Sequence, residues 1–294
     1  MANKYYFSES EKTAPLKATI VFLWIALIVL LLFGVVFTAK YINDVEKQHR
    51  IDNQPANVSE YFVNILLCVE DETKETDNLQ ALLIGFDTNS KAITVTQFNE
   101  NVKLTATDRT ESATAYELFE IGTASYVSKT IENSYGIKID RYITCTLSEV
   151  EKIVDSLGGV DYNIETAMQF KNKDGALVTN LVKGKQKLNG NQYCQYLRYD
   201  SWKSAEQKAE KQEALFLALI NQYNKSLKAE DIVSIYKKIS NKLTTNVTII
   251  EVNDFALKFE ENFSKINNPA ISADVDFSDA ELSKVKIKNY YEQQ

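Results

Sequence analysis

Two groups of charged side chains in this 294-residue chain have the types and spacing to do chemistry. The first is an acidic loop of five carboxylates, Glu70, Asp71, Glu72, Glu75 and Asp77. The second is a basic pair, Lys208 and Lys211, which would lie on one face of a helix. Carboxylate oxygens suit Mg²⁺ or Ca²⁺, and ammonium groups suit phosphate. Both patterns also have a more common explanation, an exposed acidic turn and a solvated helix face paired with Glu206 and Glu210.

Several other kinds of active site are excluded by composition. His49 is the only histidine, which leaves no Ser-His-Asp or Cys-His system and no HExxH zinc site. The chain contains no GxGxxG, GxxxxGK[ST] or GxSxG motif. With 33 basic and 40 acidic residues the net charge is −7, which argues against nucleic acid as a partner.

The three cysteines are far apart in the sequence and lie in apolar surroundings. Cys68, Cys145 and Cys194 form no CxxC pair. We predict buried, unpaired thiols, and the alternative is one disulfide with a reactive third cysteine.

Residues 18–39 are uncharged and apolar, and Lys17 and Lys40 bracket them. As a helix at about 1.5 Å per residue they are long enough to cross a bilayer. A cleaved signal peptide fits less well, because bulky Phe37 stands where a small residue is needed. We therefore predict a single-pass signal-anchor in the cell membrane. The numbers of lysines and arginines on the two sides of this segment are balanced, so they do not decide its orientation. We predict the simplest arrangement, in which residues 1–17 form a cytoplasmic tail and the main domain is extracytoplasmic.

The rest of the chain predicts a polar stalk over residues 40–59, one α/β domain over 60–268 and a loose tail over 269–294. Apolar runs and turn residues indicate a mixed sheet with helices on both faces. The predicted strands are 64–69, 79–86, 92–98 and 141–147, and the predicted helices lie near 118–135, 191–198, 204–223, 231–243 and 254–263. A capping box at Ser148–Glu151 predicts a further helix that ends at Gly158. The turn at 172–175 predicts a hairpin between strands 160–164 and 176–182.

Three segments carry a family resemblance. They are Tyr135–Ile143 (YGIKIDRYI), Glu151–Asp161 (EKIVDSLGGVD) and Lys183–Gln192 (KGKQKLNGNQ). Together with Asn64–Leu67 and Asp71, they resemble the LytR-CpsA-Psr family of cell-envelope proteins over roughly residues 61–265. The layout of a short tail, one membrane span and an exported domain is similar to that family as well.

The resemblance implies a chemistry. Family members move a glycopolymer, such as teichoic acid or capsule, from polyprenyl pyrophosphate to a peptidoglycan hydroxyl with the help of Mg²⁺. Arginines hold the pyrophosphate and acidic residues hold the metal. By this resemblance, Asp77 and Arg198 become the catalytic candidates and Asp71 and Asp77 the metal ligands. The phosphate-binding candidates are Arg198, Lys208, Lys211 and Gln212.

The chain departs from the family pattern at the positions expected to bind phosphate. Glu75, Glu100 and Asp200 stand where arginines are expected, and Asn101 stands where an aspartate is expected. Each lost charge-assisted hydrogen bond is worth about 1.5–3 kcal/mol, and the new acids repel phosphate. We therefore expect a degenerate pyrophosphate site.

Three functions remain open. The preferred hypothesis is an envelope protein with little or no catalysis, which binds glycopolymer, peptidoglycan or an envelope protein partner. The second is an active transferase whose phosphate site is rebuilt from Arg198, Lys208 and Lys211. The third is a membrane sensor or regulator that acts through a partner. Tyr193, Tyr196, Tyr199 and Trp202 either stack on sugar or pack in the core.

Overall fold

The computed structural model describes residues 62–73, 79–88, 90–106, 111–264 and 270–292. The predicted cytoplasmic tail, membrane anchor and stalk all lie outside these ranges. Within them, no helix combines the length and apolar character needed to cross a membrane.

Ten strands and seven α-helices make up the described chain. The strands are β1 (Phe62–Glu70), β2 (Leu79–Asp87), β3 (Ala92–Phe98), β4 (Arg141–Thr146), β5 (Val160–Ile164), β6 (Met168–Lys171), β7 (Leu177–Leu181), β8 (Gly184–Leu188), β9 (Thr244–Thr245) and β10 (Ile271–Ser272). The α-helices are α1 (Ala115–Tyr135), α2 (Leu147–Leu157), α3 (Gly190–Arg198), α4 (Ala205–Tyr223), α5 (Ala229–Ile239), α6 (Ile249–Phe259) and α7 (Ala280–Tyr291). A 3₁₀ turn at Ser240–Lys242 and a π turn at Glu260–Ser264 follow α5 and α6.

Six of the strands form a mixed central sheet in the order β10-β3-β2-β1-β4-β9. β2 runs antiparallel to both β1 and β3, and β1 runs parallel to β4. Successive side chains of β2 point to opposite faces of the sheet. Leu83 packs towards α1 and α7, whereas Leu82 and Ile84 pack towards α4 and α6. Burial on both faces explains why β1 and β2 are almost continuously apolar. The predicted mixed sheet with helices on both faces is confirmed.

A third apolar cluster joins α2, α3 and α4 to two small two-stranded sheets, β5–β8 and β6–β7. Two glycines of the recognised segments permit this packing. Gly190 begins α3, where an added Cβ would lie 2.2 Å from the Glu151 carbonyl oxygen of α2. Gly159 has φ +85°, and a Cβ added there would lie 2.6 Å from the Leu188 carbonyl oxygen. All three cysteines are buried and unpaired, as predicted.

Some predicted boundaries were wrong because tertiary pairing overrides local pattern. The turn at 172–175 joins β6 to β7, whereas β5 pairs with β8. The helix after β4 is capped by Thr146 rather than Ser148, since the Thr146 backbone N–H donates to Glu149 Oε2 at 3.2 Å. The helix predicted near 254–263 begins earlier, and α6 spans Ile249–Phe259.

The prediction of a loose C-terminal tail was also wrong. β10 pairs with β3, and α7 buries Ser283, Ile287 and Tyr291 against the sheet. The Tyr291 hydroxyl lies 2.9 Å from Thr96 Oγ1 and donates to the Leu83 carbonyl oxygen at 3.2 Å. A helix that buries only every fourth residue has too sparse an apolar stripe to be recognised among its lysines.

Candidate functional site

The predicted site residues converge at one edge of the central sheet. β1 and β3 both run antiparallel to β2, so their carboxyl ends lie on the same edge. Asp71 follows β1 and Glu100 follows β3. Arg198 is the last residue of α3, and Asp200 follows it in the loop that leads to α4.

Arg198 and Asp71 form a bidentate ion pair. Arg198 Nε donates to Asp71 Oδ2 at 3.1 Å, and Nη2 donates to Oδ1 at 3.2 Å. Thr73 adds a hydroxyl donor to Oδ1 at 2.6 Å. Burial by itself would raise the pKa of Asp71, but the bonds from Arg198 and Thr73 outweigh it and the pKa is lowered. The guanidinium fork therefore holds a protein carboxylate in the manner in which it would hold a phosphate.

Lys208 lies in the first turns of α4 and is buried, which contradicts a solvated helix face. Its ammonium donates to Glu100 Oε2 at 2.8 Å and to Asp200 Oδ1 at 2.5 Å. Burial alone would lower its pKa, but the two carboxylates reverse the effect and the pKa is raised. Two of the acids that replace expected arginines thus neutralise this lysine.

Lys211, one turn further along α4, is held more loosely at the surface. It donates to the two carboxylate oxygens of Glu165 at 3.3 and 3.2 Å, and Glu210 lies 3.8 Å away. The bonds from Glu165 raise its pKa. Glu165 follows β5 and was not a candidate from the sequence, because nothing in its local pattern shows that β5 and α4 meet.

Gln212 supports the site from within the core. Its Oε1 accepts from Gln97 Nε2 at 2.6 Å, and its Nε2 donates to the Leu197 carbonyl oxygen at 2.9 Å. Both ends of its amide are therefore used to tie α4 to β3 and α3. Asn101 lies just beyond Glu100, and its backbone N–H donates to Asn99 Oδ1 at 2.9 Å.

Of the two residues that the resemblance assigns to Mg²⁺, the structure describes only Asp71. In the described ranges no three His, Cys, Asp or Glu residues come together to hold a metal ion. Asp71, one predicted ligand, is engaged by the guanidinium of Arg198. Asp77 and Glu75 lie outside the described residues.

The aromatic residues near the site are mainly packing residues. Tyr193 and Tyr196 are buried in the cluster of α2, α3 and α4. Tyr199 and Trp202 are half-buried and meet edge to face with ring centroids 5.0 Å apart. The core interpretation therefore holds for the first two, and the second pair forms the rim.

Comparison with known proteins agrees with this fold and with the recognised segments. The family model described as the LytR_cpsA_psr family matches residues 35–293. Biofilm regulatory protein A of Streptococcus mutans is 24% identical over 184 residues, which are 58% of this chain and 44% of that protein. The polyisoprenyl-teichoic acid–peptidoglycan teichoic acid transferase TagU of Enterococcus faecalis is 21% identical over 150 residues, 50% of this chain and 48% of that protein. The chain thus spans less than half the length of these two curated relatives.

A solved structure shows the same architecture. The crystal structure of Bacillus subtilis TagV superposes with a TM-score of 0.63 and 18% identity, over 79% of this chain and 98% of that one. The family match extends over most of the chain. The protein therefore belongs to the LytR_cpsA_psr family.

Proposed function

We propose that this protein is a membrane-anchored, extracytoplasmic component of bacterial cell-envelope assembly. It binds glycopolymer or wall material and has little or no transferase activity of its own. The family membership supports the envelope role, since TagU and TagV relatives are named as teichoic acid transferases that act between a polyisoprenyl-linked polymer and peptidoglycan. The membrane anchor rests on the apolar segment 18–39.

The observation that carries the proposal is the pairing of Lys208 with both Glu100 and Asp200. A pyrophosphate needs cations that are available to it, and here the ammonium already has two carboxylate partners. An incoming phosphate would also face the negative charge of those acids. Arg198 is engaged in the same way by Asp71. The site is thus charge-compensated by the protein itself.

The test is the replacement of the three unexpected acids by arginine, Glu75→Arg, Glu100→Arg and Asp200→Arg together. Binding of a short polyprenyl pyrophosphate to the full chain in detergent is measured by titration, with and without Mg²⁺. We expect no saturable binding by the native chain below millimolar ligand and at least tenfold tighter binding by the variant. The matched control places arginine at three exposed acids away from the site, which are Glu230 on α5, Asp254 on α6 and Glu261 in the π turn after α6. It shifts the net charge by the same six units.

An active transferase gives the opposite result. Micromolar, Mg²⁺-dependent binding by the native chain that the triple change weakens would show that Arg198, Lys208 and Lys211 form a rebuilt phosphate site. Equal gains in the variant and in the control would show that only net charge matters, and the proposal would fail.

A further inference from the structure

Residues 160–188 form a continuous two-stranded ribbon built from the two small sheets. β5 pairs with β8, and β6 pairs with β7 between them, so the chain runs out along one side and returns along the other. The inner side chains of all four strands belong to the apolar cluster with α2, α3 and α4, and they are Val160, Ile164, Met168, Leu181 and Leu188. Because successive side chains of a strand point to opposite faces, the other face of the ribbon points away from this cluster.

The exposed side of the ribbon is rich in lysine. Five exposed lysines occur in this stretch, and they are Lys171, Lys173, Lys183, Lys185 and Lys187. Only three acids occur in it. Glu165 is paired with Lys211 of α4, Asp161 lies opposite Lys187 in the β5–β8 register, and Asp174 stands in the turn between β6 and β7. The ribbon is therefore positively charged in a chain whose net charge is −7.

Most of these ammonium groups are available to a partner. Within the described part of the chain, no carboxylate lies within 4.0 Å of the ammonium groups of Lys171, Lys183, Lys185 and Lys187. Lys208 and Lys211 differ from them, because acids of the protein already hold both. The ribbon thus offers cationic charge that the candidate site does not.

Two large apolar side chains are exposed among these lysines. Leu177 is 50% exposed and lies opposite Lys171 in the β6–β7 register. Val182 is 68% exposed, more than any other large apolar side chain of the described residues, and Lys183 follows it directly. Lysines beside exposed apolar side chains are typical of surfaces that bind at the boundary between lipid headgroups and acyl chains.

A bilayer matches both kinds of side chain. Anionic headgroups attract the lysines, and the acyl boundary beneath them accepts the apolar groups. A soluble anionic polymer would engage the lysines and leave Leu177 and Val182 in water, which is unfavourable for both. The anchor of the proposed function keeps the domain beside a bilayer. Residues 40–61, which join that anchor to β1, extend to at most about 75 Å, so the membrane stays within reach.

We infer that the ribbon docks on anionic phospholipid headgroups of the bilayer that holds the anchor. The inference rests on the membrane anchor of the proposed function and makes it more specific, because it assigns a second contact with the same membrane. The ribbon is packed against α2, α3 and α4, so its docking restricts the orientation of the whole domain on the membrane surface.

The test uses the full chain inserted into vesicles of equal parts phosphatidylcholine and phosphatidylglycerol. Asn180→Cys places an accessible thiol on the exposed face of β7 for a fluorophore, since the three native cysteines are buried. Asn253→Cys on α6 is the matched position. A nitroxide on the lipid headgroup quenches a fluorophore that lies at the membrane surface. Flotation with the vesicles measures insertion of the chain separately.

Two sets of substitutions separate charge from apolar contact. The lysine variant carries glutamine at Lys171, Lys183, Lys185 and Lys187. Its matched control carries glutamine at four exposed lysines on α1, α5, α6 and α7, which are Lys129, Lys238, Lys258 and Lys284. Leu177→Asn with Val182→Asn removes the apolar side chains and keeps every charge.

Each lysine near an anionic surface strengthens attachment about fivefold, so loss of four should weaken docking by more than about a hundredfold. We therefore expect at least threefold more quenching at position 180 than at 253. This excess should vanish in the lysine variant, in vesicles of phosphatidylcholine alone and in about 1 M salt, where the Debye length is about 3 Å. The matched control should retain the excess, and the asparagine double variant should lose at least half of it.

Equal quenching at the two positions, or an excess that persists in uncharged vesicles or in high salt, would overturn the inference. An equal loss in the matched control would do the same, because only net charge would then matter. An excess that the asparagine double variant leaves unchanged would indicate a surface for an anionic polymer and would refute the bilayer as the partner. Failure of the chain to float with the vesicles would contradict the anchor itself, so failure of the proposed function and failure of docking are distinguishable.

Discussion

Lys208 and its two acids should respond asymmetrically to mutation. The lysine side chain is only 8% exposed, whereas those of Glu100 and Asp200 are 49% and 46% exposed. Lys208→Met removes the buried charge and leaves two carboxylates that water can reach. Glu100→Ala with Asp200→Ala does the reverse and leaves a nearly buried ammonium without a counter-charge.

The magnitudes follow from these exposures. Lys208→Met loses charge-assisted hydrogen bonds worth about 1.5–3 kcal/mol, and rehydration of the two acids offsets part of that loss. An uncompensated buried charge costs about 3–5 kcal/mol. The double alanine variant should therefore be the less stable one, by about 1–3 kcal/mol relative to Lys208→Met.

The assay is urea unfolding of the full chain in detergent, followed by the fluorescence of Trp202 in a Trp24→Phe background. Trp24 and Trp202 are the only tryptophans, so the signal then reports on the loop that carries the site. A triple variant that combines Lys208→Met with both alanine substitutions should have a free energy of unfolding between those of the other two variants. If Lys208→Met destabilises the protein as much as the double alanine variant, the ammonium is not held by these two acids and the charge-compensated site is refuted.

Three further predictions follow from individual contacts. The pKa of Asp71 is lowered from 3.8, so its pair with Arg198 contributes stability above about pH 4, and this stability is lost as the pH falls through the lowered value. Asp71→Asn should therefore flatten the decline in the free energy of unfolding between pH 5 and pH 2. Gly190→Ala should abolish stable folding or lower the free energy of unfolding by more than about 3 kcal/mol, as measured by circular dichroism during urea unfolding. A mild effect would mean that α2 and α3 do not touch there. Tyr291→Phe should cost about 1–2 kcal/mol by the same measurement through the lost bonds to Thr96 and Leu83, and a neutral effect would contradict the docking of α7.

Local sequence patterns determined much of this fold. The apolar runs at 79–86 and 92–98 lie within β2 and β3, and the periodic residues from Leu118 to Tyr135 lie within α1. Each of these elements buries enough side chains to leave a periodic pattern that can be recognised without a partner. The motif glycines were recognised through the family resemblance, although the close approach that requires Gly190 is visible only in the packed helices.

The pairing of distant segments could be decided only by the tertiary structure. The pairing of β5 with β8 around the β6–β7 hairpin depends on contacts that no local window contains, and so does the burial of α7 through Tyr291. The same holds for the site. The sequence determined that acids replace expected arginines, and thus the sign of the charge change. Glu100 and Asp200 both reach Lys208 because β3, α3 and α4 meet at a common edge of the sheet. Coulomb attraction and desolvation depend on distance and burial, and these are properties of the packed chain.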